Sequence, residues 1–164
     1  MCLSTEQNGL RGTIPTEIQV LSSMRFLLLE NGVIAGEIPA EIGNLNSLEV
    51  LNFNLLDGRI PEQVYALSEL RQLDLNDNQL SGTISPSIGN LVNLTFLNLH
   101  ENRLTGTVPE ELASMTLLET ATLHGNDLVG FMPEGVCELR DKMLQSLVAD
   151  CVSEVECSCC SDCL

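Results

Sequence analysis

The chain has 164 residues, enough for one domain, and its 23 acidic against 7 basic residues give a formal net charge of −16. That charge repels phosphate backbones and anionic headgroups, which excludes nucleic acid and membrane surfaces as partners. Hydrophobic residues make up 44% of the chain although only 3% is aromatic and Trp is absent, so a core can form and disorder is excluded.

Leucine supplies about thirty of the apolar residues. No run approaches the roughly 18 apolar residues that span a bilayer. Met1 is not followed by a basic and then apolar leader, so the sequence reads as a soluble piece. From the first residues onward the chain repeats itself. Ile14, Ile38, Ile60, Ile84, Val108 and Met132 step by 24, 22, 24, 24 and 24 residues, and Gly12, Gly36, Gly58, Gly82, Gly106 and Gly130 keep the same steps. A glycine two residues before each apolar position fits a turn that needs open backbone. Pro15, Pro39, Pro61, Pro109 and Pro133 follow directly, and in the remaining unit Ser85 takes that place with Pro86 after it.

In chain order, Leu3 and Thr5 already hold strand positions, so the sequence starts inside a repeat and reads as a fragment. The unit with Leu51 and Phe53 is two residues short and has no turn asparagine; one unit earlier Gly32 stands in that place. The next units are regular: Leu67, Leu70, Leu73, Leu75, Asn78, Leu80, Gly82 and Ile84, then Leu91, Leu94, Leu97, Leu99, Asn102, Leu104, Gly106, Val108 and Pro109. A spacing of two at Leu73-x-Leu75 and Leu97-x-Leu99 predicts short strands with those leucines inward. A spacing of three at Leu67 to Leu70 and Leu91 to Leu94 predicts a helical or 3-10 return. One unit cannot bury its own leucines, so the units must stack around a shared core with a parallel sheet. Asn8, Asn78, Asn102 and Asn126 fall at the turn after each strand, where a carboxamide can both donate to and accept from buried backbone.

Six cysteines close the chain: Cys137, Cys151, Cys157, Cys159, Cys160 and Cys163, with Cys2 alone elsewhere. Clustered like this they suit up to three disulfides in an oxidising compartment, with about 15 pairings open. The C-x-C-C-x-x-C run at 157–163 also offers thiolates to a metal, but its spacing departs from paired C-x-x-C, and no metal or cofactor is expected.

The pattern LxxLxxLxLxxNxLxGxxP resembles the plant-type leucine-rich repeat, over about residues 3 to 136. The tail, from Leu144 through Leu147, Ala149 and Asp150 to the cysteine cluster, resembles the cap of leucine-rich repeat proteins from diatoms and related algae. The resemblance implies an α/β fold: a right-handed horseshoe solenoid with a parallel β-sheet on its concave face and short 3-10 or helical returns. It also implies repeats over 1–136, a disulfide-rich cap over 137–164, and Cys2 as the survivor of a lost N-terminal cap. The function implied is extracellular recognition of a protein or peptide, as in the ectodomains of receptor-like proteins and kinases, with any membrane span or kinase outside this chain. The alternative is a secreted inhibitor of a cell-wall hydrolase, resembling polygalacturonase-inhibiting proteins.

Outward strand positions then define the candidate ligand face. They include Phe26, Leu28, Glu30, Val50, Asn52, Gln72, Asp74, Asn76, Phe96, Asn98, His100, Thr122 and His124. Rungs about 4.8 Å apart make this face roughly 25 to 30 Å wide, which is peptide scale. Phe26, Leu28 and Val50 form an apolar patch that a solvated sheet does not need. Glu30, Asp74, Asp77, Glu101 and Glu119 surround Arg25 and Arg71, which favours a basic or hydroxyl-rich ligand, and the lone Tyr65 with no Trp argues against a sugar platform. His100 and His124 are the only histidines, one repeat apart; they read as a repeated polar position, with a shared metal or a pH switch as the sharper alternatives. Asn93-Leu94-Thr95 is a glycosylation sequon. No nucleophile, base and orienting group stand at catalytic spacing, no phosphate loop appears, and Glu110-Glu111 reads as a solvated face, so an enzyme is not expected. The uncapped first rung leaves a monomer or a weak association through that end.

Overall fold

A computed structural model of the chain describes residues 1–4, 11–29, 33–53, 55–151 and 155–164. Eight short strands lie side by side in one parallel sheet: β1 (Cys2–Ser4), β2 (Phe26–Leu29), β3 (Val50–Phe53), β4 (Gln72–Asp74), β5 (Phe96–Asn98), β6 (Thr120–Thr122), β7 (Ser146–Ala149) and β8 (Asp162–Cys163). Their order in the sheet is their order in the chain, which is what stacking of successive repeats requires. Register follows the repeat: Leu27 pairs with Leu51, Leu51 with Leu73, Leu73 with Leu97 and Leu97 with Ala121.

Because alternate residues of a strand point to opposite sides, each inward column fills one layer of the core. Leu27, Leu51, Leu73, Leu97, Ala121 and Leu147 are fully buried, and Leu29, Phe53, Leu75, Leu99 and Leu123 form the next column. Phe53 stands where its neighbours have leucine, within the shortened unit, and its ring is wholly inside.

The returns are of the 3-10 kind that the leucine spacing predicts. Leu67 to Leu70 and Leu91 to Leu94 are single turns, closed by amide to carbonyl bonds of 3.0 and 2.9 Å. The 3-10 segments lie just before them, at Thr16–Val20, Ala40–Asn44, Glu62–Ala66, Pro86–Asn90 and Glu110–Ser114. Each starts after Pro15, Pro39, Pro61, Ser85 or Pro109, held in the extended region as the N-cap. Proline has no N–H to lose there, and Ser85 instead accepts the Ser87 amide at 3.1 Å. A buried column of Ile18, Ile42, Val64, Ile88 and Leu112 anchors these segments, and Val136 extends it into a helical turn at Glu134–Cys137. The rungs pack so closely that a Cβ on Gly89 would lie 2.7 Å from the Glu111 carbonyl oxygen.

On the flank, the glycine column takes the left-handed conformation expected of it, with φ of +81° at Gly82 and +82° at Gly106. Small parallel pairings run beside it, the widest joining Ser81–Thr83, Arg103–Gly106 and Asp127–Leu128.

The last residues continue the stack. β7 pairs with β6, β8 pairs with β7, and Val155–Glu156 pairs with Gly130–Phe131. All six clustered cysteines are in disulfides: Cys137–Cys159, Cys151–Cys163 and Cys157–Cys160. Cys2 is free and exposed. The Arg140 guanidinium donates to Ser161 Oγ at 2.7 Å, and that oxygen accepts the Leu147 amide at 2.9 Å, so the tail is bonded into the sheet as well as stapled.

Candidate functional site

The outward side of the sheet carries the predicted columns in register. The first runs Cys2, Phe26, Val50, Gln72, Phe96, Thr120 and Ser146; the second runs Ser4, Leu28, Asn52, Asp74, Asn98, Thr122 and Val148. Phe26, Leu28, Val50, Gln72, Asp74, Asn76, Phe96, His100, Thr122 and His124 are half-buried, as outward residues flanked by neighbouring rungs should be. Asn52 and Asn98 are more covered, each 8% exposed. Side chains bridge them to the next rung: Asn52 Nδ2 donates to Asp74 Oδ2 at 3.4 Å, and Asn98 Oδ1 accepts from Thr122 Oγ1. Glu30 and the turn positions at Asn8 and Gly32 lie outside the described residues.

At the start of the face, Arg25 donates two bonds to Glu49, of 2.6 and 2.9 Å, and its guanidinium lies 5.3 Å from the centre of the Phe26 ring. The guanidinium holds the Glu49 carboxyl below its ordinary pKa, chiefly through this hydrogen bond. The pair is solvent-exposed, so it orients the edge of the apolar patch more than it stabilises the fold.

Beneath the face, the turn asparagines form a ladder. Asn78, Asn102 and Asn126 accept the amides of Leu56, Leu80 and Leu104 on the preceding rung, at 2.6, 3.0 and 3.0 Å. Asn78 therefore serves the shortened unit from the next rung, donating also to the Phe53 carbonyl at 2.9 Å. Just before these asparagines the backbone turns left-handed, at Asp77, Glu101 and Gly125 with φ of 53°, 53° and 66°, and the shortened unit, which has no turn asparagine, does the same at Leu55 with φ of 70°. This column escaped the sequence reading because four different residue types fill it.

Toward the far end, His100 and His124 stack with ring centroids 4.6 Å apart and planes 7° from parallel. His100 Nδ1 lies in hydrogen-bond contact with Asn98 Oδ1 and, at 3.2 Å, with Thr122 Oγ1. Asp150 continues the column, in the place of His124 one rung on, and its Oδ2 accepts the Asn126 amide at 3.3 Å. Burial, and then His100, push the His124 pKa down, while Asp150 and Glu101 oppose them. Away from the sheet, Asn93 is exposed with its amide donating to the Ser68 carbonyl at 2.8 Å, and Tyr65 is buried in the return layer, where desolvation raises its phenol pKa. A cleft lined by Thr83, Thr107, Pro109 and Phe131 lies on the flank.

A family model described as Leucine Rich Repeat matches residues 69–91 and 93–115, the two most regular units. Together with the eight-stranded ladder and its asparagines, this decides the matter. The chain folds as a leucine-rich repeat solenoid. Comparison with curated proteins gives no significant match. Solved leucine-rich repeat structures match over most of the chain. A TDR receptor is 34% identical with a TM-score of 0.83, over 96% of this chain and 26% of that one. The plant peptide hormone receptor RGFR1 in complex with RGF2 is 37% identical with a TM-score of 0.79, over 90% and 23%. The ectodomain of the receptor kinase GASSHO1/SCHENGEN3 from Arabidopsis thaliana, in complex with CASPARIAN STRIP INTEGRITY FACTOR 2, is 33% identical with a TM-score of 0.77, over 80% and 16%. The chain thus spans about a quarter or less of these receptors' length. Among the described residues no helix is long and apolar enough to cross a membrane.

Proposed function

We propose that this chain is an extracellular recognition module whose concave sheet binds a peptide or protein of basic or hydroxyl-rich character, as part of a receptor-like protein. The observation that carries the reading is the sheet itself: an open parallel face whose outward columns hold an apolar patch at Phe26, Leu28 and Val50 and acidic or amide groups beyond it. A similar solenoid in RGFR1 is solved in complex with RGF2, and GASSHO1/SCHENGEN3 with CASPARIAN STRIP INTEGRITY FACTOR 2. The disulfides support an extracellular setting, because such pairs persist in oxidising compartments. The formal charge of −16 supports a partner of opposite sign.

The test is a binding screen against secreted peptides and cell-wall hydrolases, with Phe26→Ala and Asp74→Asn as face variants. Capture of a basic peptide, weakened by both substitutions, supports the reading. Capture of a hydrolase with loss of its activity makes the chain an inhibitor instead, and a ligand indifferent to both variants removes the concave sheet as the site.

A further inference from the structure

Resting on the concave sheet as the recognition face, we propose that His100 and His124 form a subsite for a carboxamide of the ligand, gripped by one acceptor and one donor and released on acidification. The geometry assigns the two rings opposite protons. Thr122 Oγ1 gives its hydrogen to Asn98 Oδ1, so neither Asn98 Oδ1 nor that hydroxyl offers a proton to His100 Nδ1. Nδ1 of His100 is therefore the donor and its Nε2 is left as a lone-pair acceptor. In His124 the position is reversed. Its Nδ1 is buried with no hydrogen-bond partner among the described residues. An orphaned buried N–H is rarer than an orphaned acceptor, so the lone pair rests there and Nε2 carries the hydrogen.

Stacking at 4.6 Å then sets an outward acceptor beside an outward donor. A primary carboxamide offers the complement, an N–H and a C=O on one edge, from an Asn or Gln side chain, whereas a trans peptide unit holds the two on opposite edges. A carboxylate offers no donor and meets the acidic groups around the pair, Glu101 in the turn after β5 and Asp150 after β7, with Asp74 on β4 opposite Asn98. Glu101 leans against the neighbouring turn, where a Cβ on Gly125 would lie 2.8 Å from its carboxyl carbon. Protonation of His100 at Nε2 turns the acceptor into a second donor, and the carboxamide loses half its match. Burial of His124 and the facing His100 keep that ring neutral to lower pH, whereas Asp150 and Glu101 act the other way.

The assignment is tested first on the chain alone, by long-range imidazole proton–nitrogen NMR at about pH 7.5, above the ordinary histidine range. His100 is expected as the Nδ1–H tautomer and His124 as the Nε2–H tautomer; both rings as Nε2–H overturns the proposal. The same spectra then follow titration with the N-methylamides of acetyl-Gly-Asn-Gly, acetyl-Gly-Gly-Gly and acetyl-Gly-Asp-Gly, of which only the first carries a primary carboxamide. The Asn peptide is expected to shift both rings saturably, and the Asp peptide to leave them unmoved. A triglycine that shifts them equally makes the side-chain carboxamide irrelevant and overturns the subsite. Affinity is expected to fall about tenfold near pH 5, the equivalent of one hydrogen bond, and to fall similarly in His100→Phe, which keeps a stacked ring. No shift with any peptide, or binding indifferent to pH and to that variant, overturns the subsite. A ligand from the screen that binds wild type and His100→Phe alike does so too, while leaving the recognition face itself intact.

Discussion

The asparagine ladder makes a prediction that can be worked bond by bond at Asn102, which is 9% exposed. Its Oδ1 accepts the Leu80 amide at 3.0 Å, and its Nδ2 faces the carbonyls of Leu75, Leu99 and His100 at 2.7, 3.1 and 3.2 Å. Asn102→Ala removes all four contacts with unequal effect. Leu75 keeps a bond from Asn78 and Leu99 keeps one from Asn126, both through Nδ2, at 2.9 and 3.0 Å, and His100 keeps the Asp77 amide at 3.2 Å. The buried Leu80 amide loses its acceptor, at a cost of about 1 to 3 kcal/mol, and the weakened carbonyl contacts bring the total to about 2 to 4 kcal/mol. Asn102→Asp has the same shape but sets a carboxylate against three carbonyl oxygens, so at neutral pH it should destabilise more than alanine does. That carboxyl has a folded pKa above its unfolded value, so its deficit is largest at neutral pH and shrinks as pH falls toward the unfolded value of about 4. Urea unfolding of the three proteins at about pH 7 and about pH 4.5 measures this. An Asn102→Asp protein as stable as wild type at neutral pH, or one whose deficit is flat with pH, would refute the ladder as the source of the stability.

Further outcomes follow from the same architecture. Leu97→Ala should cost about 2 to 5 kcal/mol, because it empties a fully buried rung position, whereas Phe26→Ala on the half-buried outward column should cost about 1 kcal/mol in thermal or urea unfolding and act mainly on binding. Gly89→Ala should cost about 1 to 3 kcal/mol, since its Cβ would meet the backbone oxygen of Glu111 at 2.7 Å and backbone cannot swing aside. Replacing Cys137 and Cys159 together with serine opens a loop with a sequence separation of 22 and should cost about 3 kcal/mol; the same change at Cys157 and Cys160, with a separation of 3, should cost about 2 kcal/mol. His124 has a folded pKa below its unfolded value, so its contribution to stability is present above about pH 6.5 and lost as pH falls through the folded pKa, and His124→Phe should flatten that part of the profile.

Much of this was legible because duplication writes the register into the sequence. Matching Leu73 with Leu97 or Asp74 with Asn98 needs only the period, and the strands pair as the period says. The period fails where the structure was hardest to foresee. β7 pairs with β6 at a step of 26, with Leu147 opposite Ala121, so Asp150 falls beside His124 where a fixed step of 24 would not place it. The left-handed turn at Leu55, Asp77, Glu101 and Gly125 is a backbone property with no shared side chain to announce it. Burial of Asn52 and Asn98 arises from neighbours one rung away, which a column read in isolation does not reveal. Disulfide pairing depends on where the tail folds back, so Cys137 meets Cys159 across two strands that spacing alone could not order.

The covalent links are confined to residues 137–163, at one end of a stack in which each rung meets only its neighbours. Opening of such a stack is directional. Its stapled end has little unfolded freedom to gain, so amide exchange protection should grade along the solenoid axis from β1 toward β7 while the disulfides hold. A reductant would erase that gradient without touching a single residue of the concave face, so the oxidising power of the surroundings, more than the ligand, sets which end of the chain breathes.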